Sequence, residues 1–178
     1  DRLIENYCEN IRRVAEAGIK CICYNFMPVF DWTRTQLDYE LPDGSTTLVY
    51  YQEQVDKVNP VNSESDLTLP GWDASYTPEE LKEVVAEYQA MTEEKLWENL
   101  EYFIKRIIPV ASECDVNMAI HEDDPCWSIF GLPRIITDEA NLDRFLGLVD
   151  DVHHGITLCP GSLGWSQKND VVRVADNY

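Results

Sequence analysis

Within four residues, His121, Glu122, Asp123 and Asp124 set one imidazole beside three carboxylates, and Pro125 then turns the chain. Such a group suits a divalent cation, either as ligands or as side chains that orient a ligating imidazole. Charge runs are usually solvated faces, so Glu122 taken singly is a poor candidate. A second group centres on Cys159, followed by the glycine-bearing turn Pro160-Gly161-Ser162-Leu163-Gly164. Most strand cysteines are inert small hydrophobes, but a glycine turn lets backbone amides approach a ligand closely. No phosphate-loop or dinucleotide pattern of glycines accompanies it. Thiolate plus imidazole is chemically compatible with Zn, Mn or Fe.

The elements around these residues decide whether they can meet. Apolar residues at Ile4, Tyr7, Cys8, Ile11, Val14 and Ala15 predict a first helix that stops at Gly18. Ile19 to Asn25 reads as a short buried strand. A long loop is expected near residues 26–76, with Pro42-Asp43-Gly44 as a turn beside a hairpin that uses Thr46 to Tyr51. Thr77, Pro78 and Glu80 form a helix-start pattern; after a break near Thr92, Leu96 to Ile108 continues at helical spacing until Pro109 kinks or shortens it. Val116 to His121 is strand-like, Thr137 and Asp138 open another helix, Gly155 to Cys159 is the next strand, and Asn169 caps a last helix.

Strand and helix therefore alternate, the signature of an α/β fold with parallel strands joined by helical crossovers. Side chains alternate along each strand, so Cys21, Cys23 and Asn25 share a face, as do Asn117, Ala119 and His121, and Thr157 and Cys159. Ligand groups of parallel α/β folds gather at the carboxyl ends of strands, where Asn25, His121 and Cys159 are expected to converge. His153 and His154 precede their strand and fall roughly 15 to 20 Å away at its other end, as structural or surface residues. Cys21 and Cys23 are expected to pack. Arg34, Arg134 and Lys168 follow the three strands and are candidates to balance an anionic substrate.

At 178 residues, 44% hydrophobic and 11% aromatic, the chain has the composition of one folded domain spanning 1–178. Its formal net charge of −19 speaks against nucleic acid and anionic lipid as partners. No apolar run approaches the roughly 20 residues of a membrane helix, so a soluble protein is expected. Six dispersed cysteines read as reduced thiols of a cytoplasmic protein. The opening Asp-Arg-Leu-Ile-Glu carries neither an initiator Met nor a signal pattern, and is read as the start of a piece cut from something longer.

Four strings, Cys23 to Arg34 (CYNFMPVFDWTR), Met118 to Pro125 (MAIHEDDP), Ile129 to Ile135 (IFGLPRI) and Thr157 to Gly164 (TLCPGSLG), together resemble the mannonate dehydratase family in consistent order over nearly the whole chain. Glu122 and Cys126 depart from it, standing where prolines are expected. The resemblance implies part of a (β/α)8 TIM-type barrel of the xylose-isomerase-like kind, and loss of water from D-mannonate to give 2-keto-3-deoxy-D-gluconate in hexuronate catabolism, with Mn2+ or Fe2+. It places metal binding on His121 and Cys159, with a further His and Asp contributed by later strands beyond this chain. Asn25 and Arg34 are then assigned to the sugar-acid substrate, and Asp123 or Asp124 to orienting the ligands; the general acid and base stay unassigned. An incomplete barrel has unpaired edges, so further segments or homo-oligomeric association are expected to complete it. Two competing readings are a metal-dependent sugar isomerase or epimerase on the same fold and a catalytically silent fragment.

Overall fold

The computed structural model describes residues 1–57 and 77–178; the part of the expected long loop at 58–76 lies outside the described residues. The chain begins with α1 (Arg2–Glu16), which buries Cys8 and Ile11, and ends where Gly18 takes a positive φ of 80°. Glycine meets that left-handed conformation without the Cβ clash of other residues. β1 (Cys21–Tyr24) follows, shorter than expected by residues at both ends. The next segment is a true hairpin, β2 (Gln36–Glu40) against β3 (Thr46–Val49), closed around Gly44 at φ 81°. The expected hairpin region thus takes its first strand from residues in which no sustained period had been read: Leu37 and Tyr39 do alternate with Gln36, Asp38 and Glu40, but the run is short and exposed throughout.

After the four-residue α2 (Gln52–Val55), α3 (Pro78–Tyr88) starts on a complete capping box between Thr77 and Glu80. α4 (Glu93–Glu113) starts on Thr92, whose hydroxyl accepts from Lys95 N at 3.1 Å. Pro109 does not shorten α4, which runs on to Glu113. β4 (Asn117–His121), α5 (Glu139–Leu146), β5 (His154–Thr157), the short α6 (Pro160–Leu163) and α7 (Val171–Asn177) complete the order. The Asp170 side chain, not Asn169, caps α7 by accepting from Arg173 N; Asn169 instead donates to the carbonyls of Thr137 and Leu163.

The three-stranded sheet has the order β1-β4-β5, parallel throughout, with Cys23 opposite Ala119 and His121 opposite Thr157. One face carries Ile22, Tyr24, Met118, Ile120 and Ile156 into a core with Ile11, Leu100, Ile104, Ile107, Leu142 and Phe145 from α1, α4 and α5. Full burial of a side chain such as Ile104 stabilises by about 1.5 to 3 kcal/mol, so this face holds the sheet to its helices. The other face carries Cys21 and Cys23, which are exposed, not packed as expected. They point away from α1, α4 and α5, and no described element covers them. Among the described residues no helix is long and apolar enough to cross a membrane.

Candidate functional site

Parallel register delivers Asn25, His121 and Cys159 to the same end of the sheet, each just past or at the last paired residue. His121 ends β4 and is partly buried; its Nδ1 lies 2.8 Å from the carbonyl of Glu122. With Nδ1 donating there, Nε2 is the nitrogen left with a free lone pair. Cys159 lies beyond β5, which closes at Thr157, and caps α6. Ser162 Oγ donates to Cys159 Sγ at 3.5 Å, and Cys159 lies near enough to the His121 ring for each to shift the other's titration.

Their electrostatics follow from that proximity. Burial opposes charge on both, raising the thiol and lowering the imidazole. Hydrogen bonds from Ser162 and the nearby His121 ring outweigh it at Cys159, whose pKa falls below the ordinary thiol value. The Glu122 carbonyl and the Cys159 thiolate outweigh it at His121, whose pKa rises. The pairing thus favours the deprotonated sulfur that metal ligation requires, while His121 ligates only as the neutral imidazole, so an incoming ion would displace the proton on its Nε2 side.

Glu122, discounted as part of a charge run, is fully buried. Both of its carboxylate oxygens lie 3.2 Å from Cys159 N. Burial raises its pKa, against the opposing hydrogen bonds of backbone amides. Asp123 is also fully buried, and its Oδ2 accepts from the amides of Ile135 and Ile136 at 2.7 and 3.0 Å. Expected to orient a ligand, Asp123 instead anchors the loop before α5, because those two amides are the donors its carboxylate meets. Asp124 takes Arg34 in a two-pronged ion pair, Nη1 to Oδ1 at 2.8 Å and Nη2 to Oδ2 at 3.0 Å, and its Oδ2 lies 3.4 Å from Ser162 Oγ as the competing acceptor for the one hydroxyl proton that also reaches Cys159 Sγ.

Arg34 is buried and stacked over the Trp165 ring at 4.6 Å, so its charge is already answered within the chain. Asn25 is exposed and donates to Asp31 Oδ1 at 3.0 Å; no hydrogen bond joins it to His121 or Cys159 among the described residues. Arg134 is buried and donates to the carbonyls of Phe30 and Asp31. It shares a polar cavity of about 480 Å3 with Lys168 and Cys126, apart from His121 and Cys159. His154 opens β5 instead of preceding it, and its Nε2 meets the Phe145 carbonyl at 2.8 Å at the far end of the sheet. Neither burial of Glu122 nor the commitment of Arg34 had a signature in local spacing, since both depend on partners 37 and 90 residues away.

One imidazole nitrogen and one thiolate fit a borderline divalent cation in kind. They amount to a partial shell: among the described residues no group of three or more His, Cys, Asp and Glu is placed to hold a metal ion.

A parallel α/β sheet with buried polar groups gathered at its carboxyl ends defines a protein of the strand-end ligand-site class. Comparison with known proteins narrows this. The profile of the D-mannonate dehydratase (UxuA) family matches residues 1–178. Mannonate dehydratase 2 of Halalkalibacterium halodurans is 56% identical over 178 residues, covering 100% of this chain and 51% of that protein. Mannonate dehydratase of Streptococcus uberis is 57% identical over 175 residues, 98% of this chain and 50% of that protein. The crystal structure of mannonate dehydratase from Streptococcus suis serotype 2 superposes with a TM-score of 0.87 at 48% identity, over 99% of this chain and 46% of the other. The chain belongs to the D-mannonate dehydratase family, and spans about half the length of the curated relatives it matches.

Proposed function

We propose that this chain is part of a metal-dependent hydro-lyase that removes water from D-mannonate to give 2-keto-3-deoxy-D-gluconate, acting in the cytoplasm in hexuronate catabolism. The observation that carries this is the placement of His121 and Cys159 at the carboxyl ends of the neighbouring strands β4 and β5, in a chain of this family. The parallel sheet and its helical crossovers are read as part of a (β/α)8 barrel, whose other strands would cover the open face and bring further ligands.

In this reading His121 and Cys159 hold Mn2+ or Fe2+. When bound, such an ion polarises a carboxylate or assists departure of a hydroxide. The chain's own residues do the positioning. The Glu122 carbonyl fixes the His121 tautomer, and Ser162 donates to the sulfur, which favours its deprotonated form. Arg34 and Asp124 together pin the segment after β1 over the site, and Asn25, exposed at the same end, faces the sugar acid. Their combined effect is to orient a polyhydroxy acid against the strand ends while the Arg34 guanidinium and the Trp165 ring wall off that side.

Cys159→Ala is expected to lose Mn2+ retention and at least a hundredfold in turnover of D-mannonate to a keto-deoxy acid. An undiminished rate would sink the assignment. A product that retains every oxygen of the substrate would favour the isomerase alternative instead.

A further inference from the structure

We propose that Glu122 is a positioning residue that couples the two candidate metal-binding side chains, holding Cys159 through its carboxylate and His121 through its main-chain carbonyl. The inference deepens the metal-site reading above and rests on it.

The strand ladder explains why such a coupling is needed. Pairing between β4 and β5 ends at His121 opposite Thr157. Two residues further on, the half-buried Cys159 has left the ladder and its amide needs another acceptor. Glu122 supplies it with both oxygens at 3.2 Å. Its carbonyl meanwhile receives the His121 Nδ1–H at 2.8 Å. A single residue, fully buried and so excluded from the role of a solvated charge, therefore meets Cys159 with its side chain and His121 with its backbone.

The carboxylate also sets where the sulfur can lie. Cys159 is the residue from which α6 starts, its carbonyl accepting from Ser162 N at 3.1 Å, and Ser162 Oγ in turn reaches Cys159 Sγ. With the amide held from one side and the carbonyl from the other, the Cys159 backbone has little freedom to swing its thiol from His121. Groups that orient a ligand typically change metal affinity by about 10- to 100-fold when removed.

Two substitutions separate acceptor from bulk. Glu122→Met keeps the buried length and loses the acceptor; Glu122→Gln keeps an amide oxygen that can still receive the Cys159 N–H. Cobalt(II) serves as the probe, since its thiolate charge-transfer absorption reports sulfur ligation directly. Glu122→Met is expected to bind cobalt about 10- to 100-fold more weakly, with a diminished thiolate band, while Glu122→Gln stays within a few-fold of the parent. In the metal-free protein, hydrogen exchange at the Cys159 amide should be slow in the parent and in Glu122→Gln, and fast in Glu122→Met. Equal exchange in the parent and Glu122→Met overturns the proposal, as does equal cobalt affinity in the two when Cys159→Ala binds weakly. Should Cys159→Ala bind cobalt as tightly as the parent, the metal-site reading fails instead, and Glu122's task toward a metal fails with it.

Discussion

The two ends of the parallel sheet hold similar residue types and treat them in opposite ways. At the amino end, Lys20 Nζ meets Asp115 Oδ2 at 2.6 Å, and His153 stands between Asp115 and Asp151, with Asp115 78% exposed. At the carboxyl end, the Arg34–Asp124 pair is 10% and 14% exposed, and Glu122 and Asp123 are fully buried. A cation, a histidine and carboxylates occur in both places. In water such a pair is screened and contributes little. Away from water each charge is costly unless its partners are in place, so these groups are held in defined positions. Burial, and not residue type, separates a surface ion pair from a preorganised site.

Breaking the Arg34–Asp124 pair tests that contrast most severely. Arg34→Ala leaves a buried carboxylate without its cation, and an expected loss of about 3 to 5 kcal/mol should be visible in denaturant unfolding. A loss no larger than that of a surface pair would mean that solvent reaches Asp124.

Asp123 gives the next largest effect, through pH. Burial lifts its pKa from 3.8 to about 6, while Arg134 and the amides of Ile136 and Ile135 oppose the rise. The folded chain thus holds this proton more tightly than the unfolded chain. Stability carried by the group rises as pH falls from about 6 towards 3.8, and ionised Asp123 costs about 3 kcal/mol at pH 7. Asp123→Asn removes this dependence, so the stability difference between parent and variant should shift in the parent's favour from pH 7 to pH 4. Urea titrations across that range measure it, and parallel curves would show that Asp123 does not titrate as its burial requires.

The smallest effect belongs to the amino end. Lys20→Ala is expected to move Tm by no more than about 2 °C, and by less as salt is raised. A fall comparable to that of Arg34→Ala would erase the distinction between the two ends.

Much of the framework was legible in local pattern. The capping residues Thr77 and Asp138, the break near Thr92, the stop at Gly18, and the alternation of Met118 and Ile120 with Ala119 and His121 are all events of a few residues. Each is decided by backbone donors or side-chain direction within one or two turns. The hairpin strand β2 was missed although Leu37 and Tyr39 alternate with polar neighbours, because the alternation spans only a few residues and no core takes up its apolar side. The end of β5 was misjudged by two residues, since Leu158 and Cys159 continue the apolar pattern after pairing has stopped.

At the site the division is similar. His121 and Cys159 stood out by chemistry and by their place after apolar strands, and the four strings pointed to the family that the comparisons establish. Glu122 looked like one charge among several, and Arg34 like a cation free for substrate. Sequence alone determined which side chains can ligate, cap or turn, because those capacities belong to the residue and its nearest neighbours. Only the tertiary structure decided which carboxylate is buried against which amide, because hydrogen bonding and desolvation depend on atoms brought close from distant parts of the chain.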